Sequence, residues 1–187
     1  KDIDIKIREG ETVVITGPSG AGKTTLCRCV NGLIPHFFDG SLKGDIVVGG
    51  HSVRESNLAV LSKKVGMCFD NPSNQLFCAT VLEEVAFGPS NFCSTREELL
   101  ERVMSAIKLC RLEKYVNKSP YALSGGEQQS TALAAIIAME PEILVLDEPT
   151  SNLDPYGTNL VFNRIRKLTT MGKKTLIIVE HKLDRLI

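Results

Sequence analysis

The chain has 187 residues, of which 43% are hydrophobic and 24% charged, and its formal net charge is zero. This length suits one domain with one sizeable core. Neutral charge without a long basic block gives no electrostatic case for nucleic acid or an anionic lipid surface as partner. The longest apolar runs, such as 143–146 and 176–179, are far shorter than the ~20 residues of a membrane-spanning helix. Any link to a membrane is therefore expected to run through another protein.

Both ends of the sequence are typical of a piece of a longer chain. It begins at Lys1 without a signal-peptide pattern, and it stops at HKLDRLI inside what reads as a continuing element. The six cysteines are scattered without CxxC spacing, and most lie beside apolar residues. We expect reduced thiols rather than a disulfide or zinc framework, as in a cytosolic protein.

The first third of the chain predicts strands around one helix. The alternation in DIDIKI predicts a half-buried strand, Gly10 a turn, and TVVIT a second strand. A helix with apolar Leu26, Val30 and Leu33 follows and ends near Asn31-Gly32. Residues 40–53 indicate a hairpin, and KKVGMCF another strand.

The rest of the chain turns helical and then returns to strands. From about 94 to 138 the spacing is helical, and Ser94 with Glu97 predicts a capping box at its start. EILVLDE and TLIIVEH are continuous apolar runs separated by a helical pattern, which predicts a parallel strand–helix–strand unit. The expected fold class is therefore α/β, with a small antiparallel β region and a helical insertion.

The segment GPSGAGKTT matches the pattern G-x-x-x-x-G-K-[ST] and lies between a predicted strand and a predicted helix. Its glycines let backbone amides converge on the phosphates of a nucleotide, and the helix N-terminus adds favourable partial charge. Lys23 is expected to bridge the β- and γ-phosphates, and the Thr24 hydroxyl to ligate Mg²⁺. A flexible glycine turn alone gives no reason for lysine and threonine. The expected ATP-binding residues are Gly17, Pro18, Ser19, Gly20, Ala21, Gly22, Lys23, Thr24 and Thr25.

Acidic residues follow the next buried strand. Asp147 and Glu148 end the run EILVLDE, where a parallel strand delivers charge to the carboxyl edge of its sheet. Asp147 is expected to hold Mg²⁺, and Glu148 to orient or deprotonate the water that attacks the γ-phosphate. His181 follows TLIIVEH at the same edge, which favours a contact to the γ-phosphate over a purely structural role.

The segment LSGGEQQ opens a helix with a serine cap and exposes amides at the helix N-terminus, which favours a second anion site. Together with LVLDEPTSNLD and VEH, it resembles the signature, Walker B with D-loop, and switch histidine of the ATP-binding cassette (ABC) ATPase family. The resemblance covers essentially all of residues 1–187, which it identifies as one ABC nucleotide-binding domain. Its helical subdomain spans about 75–138.

Membership of this family implies a P-loop NTPase fold that binds ATP and Mg²⁺ in a head-to-tail dimer with a second ABC ATPase domain. That domain lies in another subunit or in tandem in the same chain. Asp154 would contact the opposite subunit near its phosphate loop, and it is equally compatible with a turn before Pro155. The residues that would act on the partner's ATP are Ser124, Gly125, Gly126, Glu127 and Gln128.

FDNPSNQLFCATVLEEVAFGPSN is similar to the ATPases of energy-coupling-factor and cobalt or vitamin importers. This resemblance implies a transmembrane transporter subunit as partner and a place at the cytoplasmic face of the membrane. Asp70 stands where the family has its Q-loop glutamine, with Gln75 five residues later. We count Asp70 as a further magnesium ligand, although its charge would change metal affinity. The helical subdomain and the loop 70–77 are together the expected docking surface, with an exposed Leu76-Phe77 pair as a candidate contact.

The leading hypothesis is an ATP hydrolase that powers micronutrient import, with Glu148, His181 and Lys23 as its catalytic residues. One alternative is a regulatory half that binds nucleotide and hydrolyses it weakly, which intact Glu148 disfavours. Another is a soluble, non-transport ABC ATPase that acts on ribosomes or DNA. The lack of a basic surface disfavours it, so no nucleic-acid partner is expected.

Overall fold

The computed structural model describes residues 3–151, 153–171 and 174–180. Within these ranges the strands are β1 (Thr12–Ile15), β2 (Val47–Val48), β3 (His51–Ser52), β4 (Val65–Cys68), β5 (Ile143–Asp147) and β6 (Thr175–Val179). The α-helices are α1 (Lys23–Val30), α2 (Leu33–His36), α3 (Leu58–Lys64), α4 (Val81–Ser90), α5 (Arg96–Leu109), α6 (Gly125–Ala138) and α7 (Pro155–Met171). Short 3₁₀ turns lie at Pro72–Asn74, Glu113–Tyr115 and Pro120–Ala122.

A four-stranded parallel sheet organises these elements in the order β1-β6-β5-β4. The register places Ile15 and Asp147 on either side of Val179. Since all four strands run the same way, the phosphate-loop segment and the acidic pair leave the sheet at one edge. The predicted α/β fold and the parallel β5–α7–β6 unit are confirmed.

Two apolar cores cover the two faces of this sheet. The larger core joins α4, α5, α6 and α7 to side chains such as Leu144, Leu146 and Ile178. The smaller core joins α1, α3 and the β2–β3 hairpin to Val145 and Ile177. Alternate residues of β5 and β6 therefore enter opposite cores, which explains why these strands read as unbroken apolar runs.

Gly66 in β4 permits the close approach of α6 to the sheet. A Cβ built at this position would lie 2.2 Å from Cγ2 of Ile136 and 3.0 Å from Cγ of Pro141. Only glycine fits there without displacing α6, the helix that begins at the signature segment.

Three local predictions were wrong. Residues 3–7 (IDIKI) form no strand, and Ile3 and Ile5 are exposed, because no described strand pairs with this segment. The N-cap of α5 is Thr95, whose hydroxyl accepts from the amide of Glu98, one residue later than the predicted Ser94–Glu97 box. Leu76 is buried at 3% exposure, whereas its neighbour Phe77 is 59% exposed.

The predicted hairpin and the predicted strands in TVVIT and KKVGMCF are confirmed. Residues 47–52 form the two-stranded antiparallel hairpin, which turns at Gly49 and Gly50, both with positive φ. All six cysteines are free thiols, four of them buried. Within the described ranges, no helix is both long and apolar enough to cross a lipid bilayer.

Candidate nucleotide-binding site

The loop between β1 and α1 forms a cradle of backbone amides. Gly20 and Gly22 have φ values of 79° and 90°, in the left-handed region that glycine tolerates. A Cβ at either position would meet no atom within 4 Å, so space lies open beside the loop. Gly22 is also the N-cap of α1. The sequence therefore brings the N-terminus of an eight-residue helix to a concave loop, which is an arrangement suited to phosphate.

Lys23 begins α1 and is only 8% exposed. Its Nζ donates to the carbonyl oxygens of Gly17 at 3.0 Å and Pro18 at 3.1 Å, so the side chain folds back over the loop. These contacts hold the ammonium beside the same amides that would bind phosphate. The described geometry therefore suits the predicted role of Lys23 as a phosphate ligand.

Asp147 is the buried acid of the site. It is 1% exposed, and neither of its carboxylate oxygens has a hydrogen-bond partner of standard geometry among the described residues. Burial raises the pKa of this carboxyl, and the charges of Asp70 and Glu148 raise it further. The Thr24 hydroxyl interacts with it and lowers the pKa. Asp147 and Thr24 therefore face each other as predicted.

These two side chains fit Mg²⁺. A buried carboxylate without a partner is costly unless a cation or donor compensates it. Mg²⁺ takes few protein oxygens and completes its octahedron with nucleotide phosphates and water. In the described ranges no three His, Cys, Asp or Glu side chains gather into a metal site. The pair of Asp147 and Thr24 suits Mg²⁺ that is bound together with a nucleotide.

Glu148 lies directly after β5 in a left-handed conformation with a φ of 46°. Its amide donates to the carbonyl of Val179 at 2.9 Å, and its carbonyl accepts from Ser151 at 3.1 Å. These two bonds fix the backbone at the sheet edge and leave the side chain half-buried. A non-glycine residue in this strained conformation is typical of functional positions, which agrees with the role predicted for Glu148.

A second buried acid, Glu180, stabilises the same edge of the sheet. Glu180 is 2% exposed, and its carboxylate accepts from the Thr150 hydroxyl at 2.7 Å. The Glu180 amide donates to the carbonyl of Ile15, which ties the end of β6 to the end of β1. The sequence analysis did not predict this bond. His181, the next residue and a predicted catalytic residue, lies outside the described residues.

The signature segment opens α6, a helix of 14 residues. Ser124 and Gly125 are exposed, and Glu127 accepts from both the amide and the hydroxyl of Ser124 at 2.8 Å. The pKa of Glu127 is lowered mainly by its hydrogen bond with Tyr115, and these bonds with Ser124 lower it further. Glu127 thus stabilises the first turn of α6, where Ser124 and Gly125 are exposed.

Asp154 caps α7 in this structure. Its Oδ1 accepts from the amide of Gly157 at 2.7 Å, and its carbonyl accepts from the amide of Thr158 at 2.9 Å. The turn-forming role is therefore present, and Asp154 itself is exposed. Its predicted contact with an opposite subunit stays a prediction.

The loop that carries Asp70 follows β4 and lies beside the first turn of the signature helix. A cavity of about 280 Å³ is lined by Asp70, Ser73, Gly125, Gln128 and Leu153, among others. The Ser73 hydroxyl donates to Oε1 of Gln128 at 3.3 Å. Because the charge of Asp70 raises the pKa of Asp147, Asp70 lies near the predicted metal site.

Gln75 does not take the place of the missing Q-loop glutamine. Its Nε2 donates to the carbonyl of Met67 at 3.4 Å, and its Oε1 accepts from the amide of Phe69 at 3.3 Å. The side chain therefore folds back onto the end of β4. Asp70 is therefore the residue of this loop whose charge acts on Asp147.

The site features match those of known proteins. The profile of the ABC transporter family matches residues 1–151. An ABC transporter ATP-binding protein from Pyrococcus abyssi is 46% identical over 187 residues, and one from Methanosarcina mazei is 47% identical over 183 residues. The chain spans 67% of the Pyrococcus relative's length and 31% of the Methanosarcina relative's length.

Two solved structures share the fold over nearly the whole of this chain. CbiO1 from Clostridium perfringens, described as part of the ABC transporter complex CbiONQ, has a TM-score of 0.85 and 32% identity. The match covers 98% of this chain and 72% of CbiO1. The ATP-binding cassette MJ0796, described as a dimer in a post-hydrolysis state with ADP and phosphate, has a TM-score of 0.84 and 30% identity. Here the match covers 100% of this chain and 81% of the other.

Proposed function

This chain belongs to the ABC transporter family of ATP-binding cassettes, and from that premise we propose that it hydrolyses ATP to power a membrane importer. The observation that carries the proposal is the convergence of three features at one sheet edge. These are the phosphate loop with Lys23 folded over it, the buried carboxylate of Asp147 beside Thr24, and Glu148 in its left-handed conformation. Together they supply the charge and geometry that phosphoryl transfer needs.

In the proposed mechanism, the loop from Gly17 to Gly22 holds the β- and γ-phosphates through backbone amides. Lys23 exchanges its two carbonyl contacts for phosphate oxygens. Thr24 and Asp147 would hold Mg²⁺, which supplies charge neutralisation for the phosphates when bound. Glu148 accepts a proton from the attacking water while the bond between the γ-phosphorus and the bridging oxygen breaks. His181 would contact the γ-phosphate.

The proposed working unit is a head-to-tail dimer with a second ATPase domain. Ser124 and Gly125 are exposed at the start of a long helix, where amides and the helix dipole favour an anion. In such a dimer this helix start meets the γ-phosphate bound by the opposite subunit, with Gly126, Glu127 and Gln128 behind it. That the related cassette MJ0796 is described as a dimer supports this arrangement.

The proposed partner beyond the dimer is a transmembrane transporter subunit, which would hold this domain at the cytoplasmic face of the membrane. Phe77 and Phe87 support it as a docking surface, which we call the Phe77–Phe87 patch. They are 59% and 53% exposed, and their rings meet edge to face at 4.8 Å. Exposed aromatic pairs of this kind are enriched at interfaces.

The proposed cargo class is a micronutrient, either a vitamin or a metal ion. Its support is the resemblance of residues 69–91 to energy-coupling-factor and cobalt or vitamin ATPases. The similarity to CbiO1, described as part of the transporter complex CbiONQ, points the same way. One observation favours the regulatory alternative, since Asp70 adds a negative charge beside Asp147 where the family has a neutral glutamine.

ATP turnover by the full-length protein with its membrane partner tests the proposal. We expect Glu148→Gln to lower turnover by about 100-fold or more, because the general base is lost, and to retain ATP binding. Glu142→Gln, which changes an exposed acid on the same strand run, is the matched control and should leave turnover unchanged. Equal turnover by wild type and Glu148→Gln would contradict the proposed mechanism.

A further inference from the structure

A buried guanidinium lies where α7 crosses the signature helix. Arg164 on α7 is 6% exposed, and within the described ranges no carboxylate forms an ion pair with it. Its Nε is buried without a hydrogen-bond partner. A buried charge without a counter-ion destabilises a fold by several kcal/mol in rough terms, so a hydrophobic residue would serve packing better here. Packing alone therefore does not explain why an arginine is buried at position 164.

Among the described residues, the side chain of Arg164 forms a hydrogen bond that leads to the signature segment. Its Nη1 donates to the hydroxyl of Ser130, and this hydroxyl in turn donates to the carbonyl of Gly126 at 2.6 Å. Helical side chains lean toward the N-terminus of their own helix, so Arg164 reaches back along α7 toward the start of α6. A relay of two hydrogen bonds thus joins the middle of α7 to the first turn of α6.

A second contact joins the same two helices closer to their starts, about one turn before Ser130 on α6 and about two turns before Arg164 on α7. A Cβ built at Gly126 would lie 3.4 Å from Cα of Gly157, and one built at Gly157 would lie 3.0 Å from Oδ1 of Asp154. The two glycines therefore let the first turn of α6 touch the first turn of α7. Gly157, Val161 and Arg164 share one face of α7, and Gly126 and Ser130 share one face of α6.

We propose that Arg164 is a positioning residue for the signature segment: through Ser130 it holds the start of α6 against the start of α7, so that Ser124, Gly125 and Asp154 are presented to a partner subunit as one unit. This inference rests on the proposed function, because only in a head-to-tail dimer do these two helix starts face another subunit's nucleotide. The rigid link makes the signature and D-loop contacts form or break together.

The test uses full-length protein in which two differently tagged copies are mixed. One copy carries Lys23→Ala, so that only the other copy's phosphate loop is active. Adding Arg164→Met to the Lys23→Ala copy alters the signature that faces the active site, and we expect turnover to fall roughly tenfold or more. Adding it to the other copy should change turnover by less than about twofold. A fall of equal size in both mixtures would assign Arg164 a general structural role and overturn the proposal.

The relay itself is tested by a double-mutant comparison. Ser130→Ala should reduce turnover in the same mixture. The double variant Ser130→Ala/Arg164→Met should lose no more turnover than Arg164→Met alone, because each single substitution already breaks the same relay. Arg164→Lys should recover part of the loss. Arg166→Met, at an exposed position of the same helix, is the matched control. Fully additive losses would show that Ser130 and Arg164 act separately.

Hydrogen exchange separates failure of this inference from failure of the proposed function. Without nucleotide, Arg164→Met should speed exchange of the amides of 126–131 and 157–161, and Arg166→Met should leave both segments unchanged. Unchanged exchange in Arg164→Met would overturn the inference whatever the turnover. If wild type does not hydrolyse ATP but the exchange result holds, the proposed function fails and the helix link stands.

Discussion

At the level of single residues, the buried carboxylate of Asp147 lowers the stability of the nucleotide-free fold. Because its pKa is raised in the folded state, the folded protein binds a proton more tightly than the unfolded chain. Stability is therefore fully present below the unfolded pKa and is lost as pH rises through the folded pKa. The carboxyl is 1% exposed, and among the described residues it has no hydrogen-bond partner of standard geometry.

We expect Asp147→Asn to raise the free energy of unfolding of the nucleotide-free protein at neutral pH by about 1 kcal/mol. The gain should shrink as pH falls, because Asp147 of the wild type then becomes protonated. The same substitution should abolish the extra thermal stability that Mg²⁺ confers in the presence of ATP. Urea unfolding between neutral and acid pH measures the first effect, and thermal unfolding with and without a chelator measures the second. Parallel pH profiles for wild type and variant would contradict the assignment.

A substitution at Asp70 distinguishes the ATP-hydrolysing motor from the regulatory alternative, which binds nucleotide and hydrolyses it weakly. Its charge raises the pKa of Asp147, so it adds negative potential at the predicted metal site. If the domain is a motor, Asp70→Gln should raise the Mg²⁺ concentration for half-maximal turnover and leave the maximal rate within about twofold. Asp45→Asn, at an exposed position near the hairpin, is the control. If ATP turnover is measurable only in the Asp70→Gln variant and not in the wild type, the regulatory alternative is favoured.

Among secondary-structure elements, the contact of α6 with β4 depends on one glycine. Gly66→Ala would place a Cβ 2.2 Å from Cγ2 of Ile136, so α6 must shift or the strand must bend. We expect a loss of about 2 kcal/mol in the free energy of unfolding, as is typical of overpacking. Ile136→Ala removes the contacted methyl, so the double variant should lose less than the sum of the two single losses. Urea unfolding of all three variants measures this, and additive losses would contradict the contact.

The strands at the site could be predicted because their sequences are unambiguous. Residues 143–146 and 176–179 lie inside a parallel sheet with helices on both faces, so every position in these runs is apolar. IDIKI alternates in the same way as a strand but pairs with no described strand, and alternation alone cannot supply a partner. The α5 cap shifted from Ser94 to Thr95 because both residues suit the N-cap and only the backbone selects one.

The contacts between elements were the part that the sequence did not reveal. Arg164 sits in a helix whose pattern predicts an apolar face and a solvated face, and a lone arginine reads as solvated. Its burial follows from the approach of α6, which depends on Gly126 and Gly157. The phosphate loop, Asp147 and Glu148 were predicted because each motif carries its own chemistry. Gln75, whose amide folds back onto β4, shows that residue type alone does not assign a role.

For the whole molecule, the proposed transporter contact can be separated from ATP chemistry. The Phe77–Phe87 patch lies at the end of the Asp70 loop and on α4, and the backbone behind it is fixed by Glu84, which accepts from the amides of Phe77 and Cys78 at 2.8 and 2.7 Å. We expect Phe77→Ser/Phe87→Ser to retain stability and intrinsic ATP turnover, since both rings are exposed and neither touches the described site. Co-purification with the transmembrane subunit should fall roughly tenfold, because exposed aromatic anchors dominate interface energies.

Leu100→Ser, at another exposed apolar position on α5, is the matched control and should leave co-purification unchanged. If both variants co-purify as wild type, the transmembrane subunit docks elsewhere on the domain. If the patch variant loses ATP turnover together with co-purification, the patch also supports the nucleotide site. A selective loss of co-purification would instead locate the docking surface at the Phe77–Phe87 patch and separate it from the residues that carry out ATP hydrolysis.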